Sequence, residues 1–259
     1  MDKNIKILIA AHKDTSFPED SLYLPIHVGK EGKDGFGIQG DDTGDNISAK
    51  NPYYSELTAL YWAWKNLECD YVGLVHYRRY LSLKRVGNSF WKSILTHQQS
   101  IELSGKYNII LPQRRRYGIE TLYSHYSNTH DHAHLDKTRE IISSISPEYI
   151  ASFDKVMKRT WGHLFNMFIM KKNLFDNYCQ WLFPILFKLE EEIDFTQLKP
   201  FDQRLMGRVS EFLLDVWIEN NNYEYKEINW IQLGKTNFFK KLRSFLLAKY
   251  MGKKYSKSM

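Results

Sequence analysis

The string His76-Tyr77-Arg78-Arg79-Tyr80 follows a short apolar run, Tyr71-Val72-Gly73-Leu74-Val75. Two guanidiniums at the end of a buried strand suit a diphosphate, because each can pair phosphate oxygens through two parallel N–H bonds. The alternative use of Arg78 and Arg79 is pairing with surface acids at the sheet edge. A second cluster is His125, His130, Asp131, His132 and His134. His-x-His can chelate zinc from a strand, and neutral imidazole suits that metal. The order His-Asp-His-Ala-His departs from the metallohydrolase pattern His-x-His-x-Asp-His, however. A helical setting also points alternate residues in different directions. A solvated helix start with Asp131 near the cap is the plainer reading. Asp41, Asp42 and Asp45 lie in a Gly-rich loop and are a candidate divalent-cation site, or else a solvated turn cluster. Trp64 and Trp217 fall on apolar helix faces and read as core, whereas Trp161, beside Gly162-His163, is placed to meet a ligand. Cys69 and Cys179 read as ordinary reduced residues.

These groups need elements to hold them. Ile5 to Ala10 is a β-branched run and reads as a buried strand ending at His12-Lys13. Leu22 to Val28 reads as a further strand, at an edge because of Pro25. Gly29 to Asn51 reads as a long loop. Asn51-Pro52 predicts a helix start, with Asn51 as cap and Leu57, Leu60, Tyr61 and Trp64 as its buried face. Tyr71 to Val75 and Tyr107 to Leu111 predict two more strands, the latter closed by Pro112 and followed by Gln113 to Arg116. Phe90 to Leu103 reads as helical, and so does Ile119 to Arg159 with a break at Ser146-Pro147. Leu164 to Met170 reads as a strand, Asn173 to Ile193 as a helix kinked or broken at Pro184, Phe201 to Asn220 as a helix, and Glu224 to Ile231 as a last strand. Strands alternating with helices predict an α/β fold with a mainly parallel sheet, which binds ligands beyond the carboxyl ends of its strands.

Composition narrows the class. The 259 residues are 43% hydrophobic, 25% charged and 15% aromatic, values of a globular chain. Two cysteines exclude a disulfide scaffold and a four-cysteine zinc site. No apolar run approaches the ~20 residues that span a bilayer, and no signal-peptide pattern opens the chain, so a cytoplasmic location is expected. The formal net charge is +6, yet eight basic residues and no acids lie between Lys235 and Met259, leaving 28 basic and 30 acidic side chains elsewhere. The basicity therefore belongs to a tail, and a nucleic-acid partner is not expected. Within it Phe238, Phe239, Leu242, Phe245, Leu246 and Tyr250 recur at helical spacing among lysines, the pattern of a basic amphipathic helix lying in a membrane interface. The expected organisation is a domain over 1–234 and this tail over 235–259.

Several strings together resemble one bacterial family. They are Asp42-Thr43-Gly44-Asp45-Asn46-Ile47-Ser48, Asn51-Pro52, Glu56-Leu57-Thr58-Ala59 through Asn66, and Gly73-Leu74-Val75-His76-Tyr77-Arg78-Arg79-Tyr80. The similarity continues through Asn166 to Met170, Tyr178 to Phe183 and Arg204 to Trp217, covering roughly Ile5 to Ile231. The family has long been labelled a domain of unknown function, occurs in capsular and exopolysaccharide gene clusters, and is regarded as sugar-nucleotide glycosyltransferases, some linked to galactofuranose. One departure is Glu211-Phe212-Leu213-Leu214, where the resemblance suggests Glu-Arg-Leu-Leu.

The resemblance implies a single GT-A-like nucleotide-sugar domain with a helical C-terminal part. The implied reaction moves a hexose from a UDP-sugar to a lipid-linked oligosaccharide at the inner face of the cell membrane. In such folds Asp-x-Asp commonly ends the strand that here ends in His76, Arg78 and Arg79. Arginines can neutralise a leaving diphosphate directly, so no obligatory metal is expected, with Mn or Mg as the alternative. His12, Lys13, Asp45, Asn46, His76, Arg78 and Arg79 are the expected donor contacts, and His132, Trp161 and Asn166 the expected acceptor or sugar contacts. Transfer needs a base, and Glu211 in the apolar stretch Val209 to Ile218 is the first choice, because partial desolvation raises a carboxylate pKa. Asp202 and Asp131 follow it. An ion pair of Glu211 with Arg208 is the competing reading. Two other classes stay open: a zinc-dependent hydrolase built on His125 to His134, and a non-catalytic adaptor of a membrane assembly.

Overall fold

The computed structural model describes residues 3–84 and 89–234. In chain order the first elements are β1 (Ile5–Ala11), β2 (Tyr23–His27), β3 (Gln39–Gly40), α1 (Asn51–Tyr54), α2 (Leu57–Asn66), β4 (Tyr71–His76) and β5 (Arg79–Ser82). Next come α3 (His97–Ser104), β6 (Ile109–Pro112), β7 (Arg115–Arg116), α4 (Leu122–Thr129), α5 (Ala133–Ile145) and α6 (Ile150–Met157). The last are β8 (Trp161–Gly162), β9 (Phe168–Lys171), α7 (Lys172–Glu192), α8 (Leu205–Asn220) and β10 (Lys226–Gln232). The predicted amphipathic tail lies outside the described residues. Among the described residues no helix is long and apolar enough to cross a membrane.

The sheet is mixed, which corrects the expectation of a mainly parallel one. β3, β2, β1 and β4 run parallel, as do β6 and β10. The pairs β4–β5, β5–β10, β6–β9 and β4–β9 are antiparallel. The physical cause at β5 is the connection length. Only Tyr77 and Arg78 separate β4 from β5, and so short a link admits a hairpin but no parallel crossover. Because β4 also pairs with β9, the strands β4, β5, β10, β6 and β9 close into a ring, with β1 to β3 as a wing on β4.

On the edge of β4 away from β1, the partner changes along the strand. Tyr71 to Leu74 pair with β9, whereas His76 pairs with Arg79 of β5. The sheet therefore parts at His76. Gly73 lets β9 approach closely, since a Cβ there would stand 2.9 Å from the Phe168 carbonyl oxygen.

Other boundaries differ from expectation for local reasons. The helix expected from Asn51 is two helices, because Ser55 takes a left-handed φ of 55°. Asn51 is not a cap; its amide donates to Ser55 O (2.8 Å) and Thr58 Oγ1 (3.3 Å). Of Phe90 to Leu103 only α3 forms a helix, started by a Thr96–Gln99 capping box. β9 begins at Phe168 rather than Leu164, because Phe165 (φ 73°) and Asn166 (φ 52°) make a turn. α7 runs uninterrupted through Pro184. Pro25, in contrast, lies where an edge was expected: it pairs with Ile9 of β1, and β3 covers only Ile26 and His27 of β2.

The core has two parts. Leu60, Leu74, Phe175, Leu182, Val209 and Trp217 belong to the larger one, which unites α2, α7 and α8 with one face of the sheet. Ile5, Ile7, Ile9, Tyr80 and Ile169 centre the smaller one on the other face. Trp64 stacks on Phe183 at 5.6 Å and Trp217 is buried, as their helical spacing implied. Cys69 and Cys179 are free thiols, and burial pushes Cys69 up to about 11.

Candidate active site

The parting of the sheet at His76 is filled by the segment His163 to Asn166. His76 Nε2 donates to the Phe165 carbonyl oxygen (2.6 Å), and burial lowers the His76 pKa, leaving a neutral ring with its proton on Nε2. The Arg79 guanidinium carbon stands 4.4 Å from the Phe165 ring centroid, a cation–π contact. Among the described residues Arg79 Nε is buried without a hydrogen-bond partner. Arg78 turns the other way: it is exposed, its carbonyl accepts from Leu233 N (2.8 Å), and it does not line the cleft. Neighbouring residues of a hairpin face opposite sides, so the two arginines expected to act together are separated.

α8 holds the same segment from below. Glu211 Oε2 accepts from Phe165 N (3.0 Å) and Asp215 Oδ2 from His163 N (2.9 Å). Asn166 is buried and its side chain is fully used. Its amide donates to Glu56 Oε1 (2.7 Å) and Gly207 O (2.9 Å), and its oxygen accepts from Ser210 Oγ (3.0 Å). The structure thus places Asn166 behind Glu56 and away from open space. Glu56 is itself buried, with Arg204 3.7 Å away, and Arg204 Nε donates to Ser55 Oγ (2.8 Å). The left-handed turn at Ser55 is what delivers Glu56 at the start of α2.

Glu211 and Glu56 line one cleft of about 280 Å³, together with His76, Arg79 and Arg204. Burial pushes Glu211 up to about 7, and the Glu56 carboxylate adds to that rise. The Phe165 amide, Arg79 and Arg204 oppose it. A carboxyl that titrates near neutrality in a cleft is suited to exchanging protons with a ligand. Arg208 does not pair with Glu211; it faces His130 Nδ1 (3.1 Å) and Asp202 (3.5 Å).

The cleft is also lined by Arg115, Tyr117, His125, Tyr126, His130 and Arg208. His130 is 2.9 Å from Asp202 and stacks on Phe201 at 5.0 Å. Burial, then Arg208, lower the His130 pKa to about 4, with Asp202 opposing. Asp202 sits behind His130 and does not line the cleft.

The remaining expected residues lie elsewhere. Asp131 is exposed and accepts from Ala133 N (3.0 Å), closing a turn before α5. His132 is exposed and paired with Asp136 (2.9 Å). Trp161 stands under two guanidiniums, Arg114 at 4.2 Å and Arg159 at 4.6 Å, outside the cleft. His12 and Lys13 are exposed beyond β1 and pack on Tyr77, His12 edge-on at 5.1 Å. Burial, Lys13 and Arg204 lower the His12 pKa. Asp45 takes the Tyr61 hydroxyl (3.2 Å), and Asn46 holds Gly44 O and Ser48 N, so both brace their loop and α2.

The metal expectations can be set against the same contacts. Asp41 is fully buried, its carboxylate accepting from Gly29 N, Lys30 N and Ser48 Oγ. Asp42 faces Lys30 (3.8 Å) and Asp45 faces Lys65 (3.9 Å), so the three carboxylates do not converge. His125, His130, His132 and His134 each meet a different partner: Glu120, Asp202, Asp136 and Tyr126. Among the described residues no three His, Cys, Asp or Glu side chains are grouped to hold a metal ion.

One buried network escaped the sequence reading. His163 Nδ1 is 2.5 Å from Asp215, and its Nε2 is 2.8 Å from Glu227, which also accepts from Arg114 Nε (2.6 Å). Burial alone would lower the His163 pKa, but the two carboxylates more than offset it and raise it. Glu56 and Arg204 are likewise absent from the expected site residues, and Arg115 enters only as part of the Gln113 to Arg116 cluster beyond a strand end. For Glu56 a signal existed, since it opens the Glu56-Leu57-Thr58-Ala59 string.

A family model described as "Domain of unknown function (DUF4422)" matches residues 6–222. The chain is also similar to the apo structure of the WbbM bifunctional glycosyltransferase, at 31% identity and a TM-score of 0.79 over 90% of this chain. The likeness takes in 46% of that chain, so the present sequence spans less than half of its solved relative. No curated protein matches.

Proposed function

Since the chain belongs to the DUF4422 family, we propose that it is a GT-A-like glycosyltransferase that moves a hexose from a UDP-sugar to a lipid-linked oligosaccharide. The observation that carries this reading is Glu211, a carboxyl raised to about 7 in a cleft that it shares with Arg79, a cation whose buried Nε has no partner among the described residues. The likeness to the WbbM bifunctional glycosyltransferase supports the reaction class, and the resemblance to capsule and exopolysaccharide proteins supports the setting. Galactofuranose is the leading donor sugar on the same ground.

In this mechanism the acceptor hydroxyl gives its proton to Glu211 as its oxygen bonds to the anomeric carbon. The bond from that carbon to the phosphate oxygen breaks, and its electron pair leaves with the diphosphate. Arg79 and Arg204 stabilise the growing negative charge, and Arg79 does so from a desolvated position where charge interactions are strengthened. His76 and Asn166 act indirectly, by fixing Phe165 and Glu56. With guanidinium at the strand end, a divalent cation is not strictly required.

A thermal-shift screen of UDP-, GDP-, dTDP- and CMP-sugars tests the donor. Saturation at 100 times Kd stabilises a protein by about 2.7 kcal/mol; a response confined to UDP-sugars is expected, and none from any of them removes the reading. The segment 235–259 would hold the enzyme on the inner membrane face. Vesicle co-sedimentation tests this: loss of salt-sensitive binding on its deletion is expected, and equal binding by the shortened chain refutes it.

A further inference from the structure

Four arginines line the cleft, and they are not equivalent. Arg204 lies 3.7 Å from Glu56, and Arg208 lies 3.5 Å from Asp202. Arg79 and Arg115 have no carboxylate within ion-pair distance among the described residues. They also belong to different strands. Arg79 opens β5 and packs on Phe165, whereas Arg115 belongs to β7, pairs in register with Gly162 of β8, and stands 5.3 Å from the Tyr117 ring.

Glu211 lines the same cleft as both arginines. It holds the amide of Phe165, on whose ring Arg79 packs. Tyr117, whose hydroxyl pKa burial raises, feels both the Arg115 cation and the Glu211 carboxylate. Tyr117 in turn packs on His125 at 4.2 Å. A carboxyl in one cleft with two cations from different strands suits group transfer between two ligands. One diphosphate would be met by Arg79 with Arg204, which leaves Arg115, an exposed residue that lines the cleft, for a second anion.

We propose that the Arg115–Tyr117 wall is the acceptor site, and that the acceptor is an anionic glycan carrying a carboxylate or phosphate near the hydroxyl that receives the sugar. Guanidinium pairs either group through two parallel N–H bonds, and the Tyr117 ring offers an apolar face beside it for the C–H surface of a sugar. This inference rests on the glycosyltransferase reading for the identity of the acceptor, but its binding step can be read without turnover.

The test uses the full chain and its Arg115→Ala and Arg115→Lys variants. The probes are a methyl hexoside, the corresponding methyl hexuronide and the hexoside 6-phosphate, with binding followed by NMR titration and UDP binding by calorimetry. The wild-type chain is expected to bind at least one acid form ~10-fold or more tighter than the neutral glycoside, and to transfer sugar to it preferentially. The tighter of the two acids identifies the anion. Arg115→Ala should erase the preference while UDP affinity stays within about twofold, and Arg115→Lys should keep part of it. Equal binding of neutral and acid forms by the wild-type chain overturns the proposal. So does an Arg115→Ala variant that loses UDP and acid ligands by the same factor, which would put Arg115 on the donor. Arg115-dependent acid binding without any sugar transfer would uphold the anion site and remove the transferase reading instead.

Discussion

Glu211 and Asp215, one turn apart on α8, take the backbone amides of Phe165 and His163, two residues apart in the facing segment. Four residues of helix rise about 6 Å, which sets the separation at which the two carboxylates meet the segment. The helix thereby presents a pair of carboxylate receptors for one short stretch of backbone. Glu211 has two oxygens, and only Oε2 is committed to that stretch. The other is available to the cleft.

Replacing Glu211 by Gln keeps the shape of the side chain but removes the base. Turnover is expected to fall on the order of 10²–10⁴-fold, with UDP affinity changed little, as read by steady-state kinetics and calorimetry. Normal turnover would move the search for the base to Glu56, the other carboxylate that lines the cleft.

The same residue gives stability a pH dependence. Its folded pKa, about 7, lies above its ordinary 4.5, so between those values the native state binds more protons than the unfolded one. Stability from this group is therefore complete below about pH 4.5 and is lost as pH rises to about 7. Urea denaturation at pH 5 and pH 7.5 should show a loss of order 1–3 kcal/mol in the wild type that is missing in Glu211→Gln. Indistinguishable pH profiles of the two proteins would show that Glu211 is not desolvated.

Arg78 and Arg79 should separate cleanly. Arg79→Ala is expected to weaken UDP binding by one to two orders of magnitude, since bonds to charged groups are worth ~1.5–3 kcal/mol. Arg78→Ala, on the exposed side of the hairpin, should stay within about twofold. Calorimetric titration with UDP decides, and a larger loss at Arg78 would invert the assignment.

His163 lies between two carboxylates, and their pull outweighs burial, so its pKa is raised. Its stabilisation is fully present below pH 6.5 and is lost as pH climbs through the raised value. His163→Gln leaves Asp215 buried without its charged partner, at a cost of roughly 3–5 kcal/mol. Chemical denaturation should register that loss near pH 6 and a smaller one at high pH. A loss that does not vary with pH would mean that His163 is neutral.

Excess EDTA should leave transfer substantially intact. If EDTA abolishes activity and manganese restores it, carboxylates must bind a cation after all, and Asp42 and Asp45 become the first residues to substitute.

What the sequence disclosed and what it hid follow from burial and chain separation. β1 and β4 are buried on both faces, so they read as continuous apolar runs. β5 did not, because Arg79 to Ser82 carries meaning only once the Tyr77-Arg78 turn reverses the chain. That reversal also decides which arginine enters the cleft, and the string His-Tyr-Arg-Arg alone does not. Glu211 stood out because an acid in an apolar helix is conspicuous in one dimension. Glu56 depends on a left-handed Ser55 and on Asn166, 110 residues away, and no local pattern encodes either. Trp161 and Asn166 attracted attention as polar or aromatic residues near glycine or a strand, yet their neighbours in space consume them.

The closed ring bears on how the molecule comes into being. β10 is the last strand of the ring, inserted between β5 and β6 with Gln232 beside Arg79 and Ile228 beside Pro112. During synthesis, which proceeds at ~5–20 residues per second, Arg79 has been made long before the strand that flanks it. Until β10 emerges, the hairpin edge and the Glu227 anchor of His163 are unpaired, and the nascent chain exposes an open sheet margin. The cleft is thus among the last features to mature, and a ribosome-stalled chain ending before Lys226 should be aggregation-prone and devoid of UDP binding.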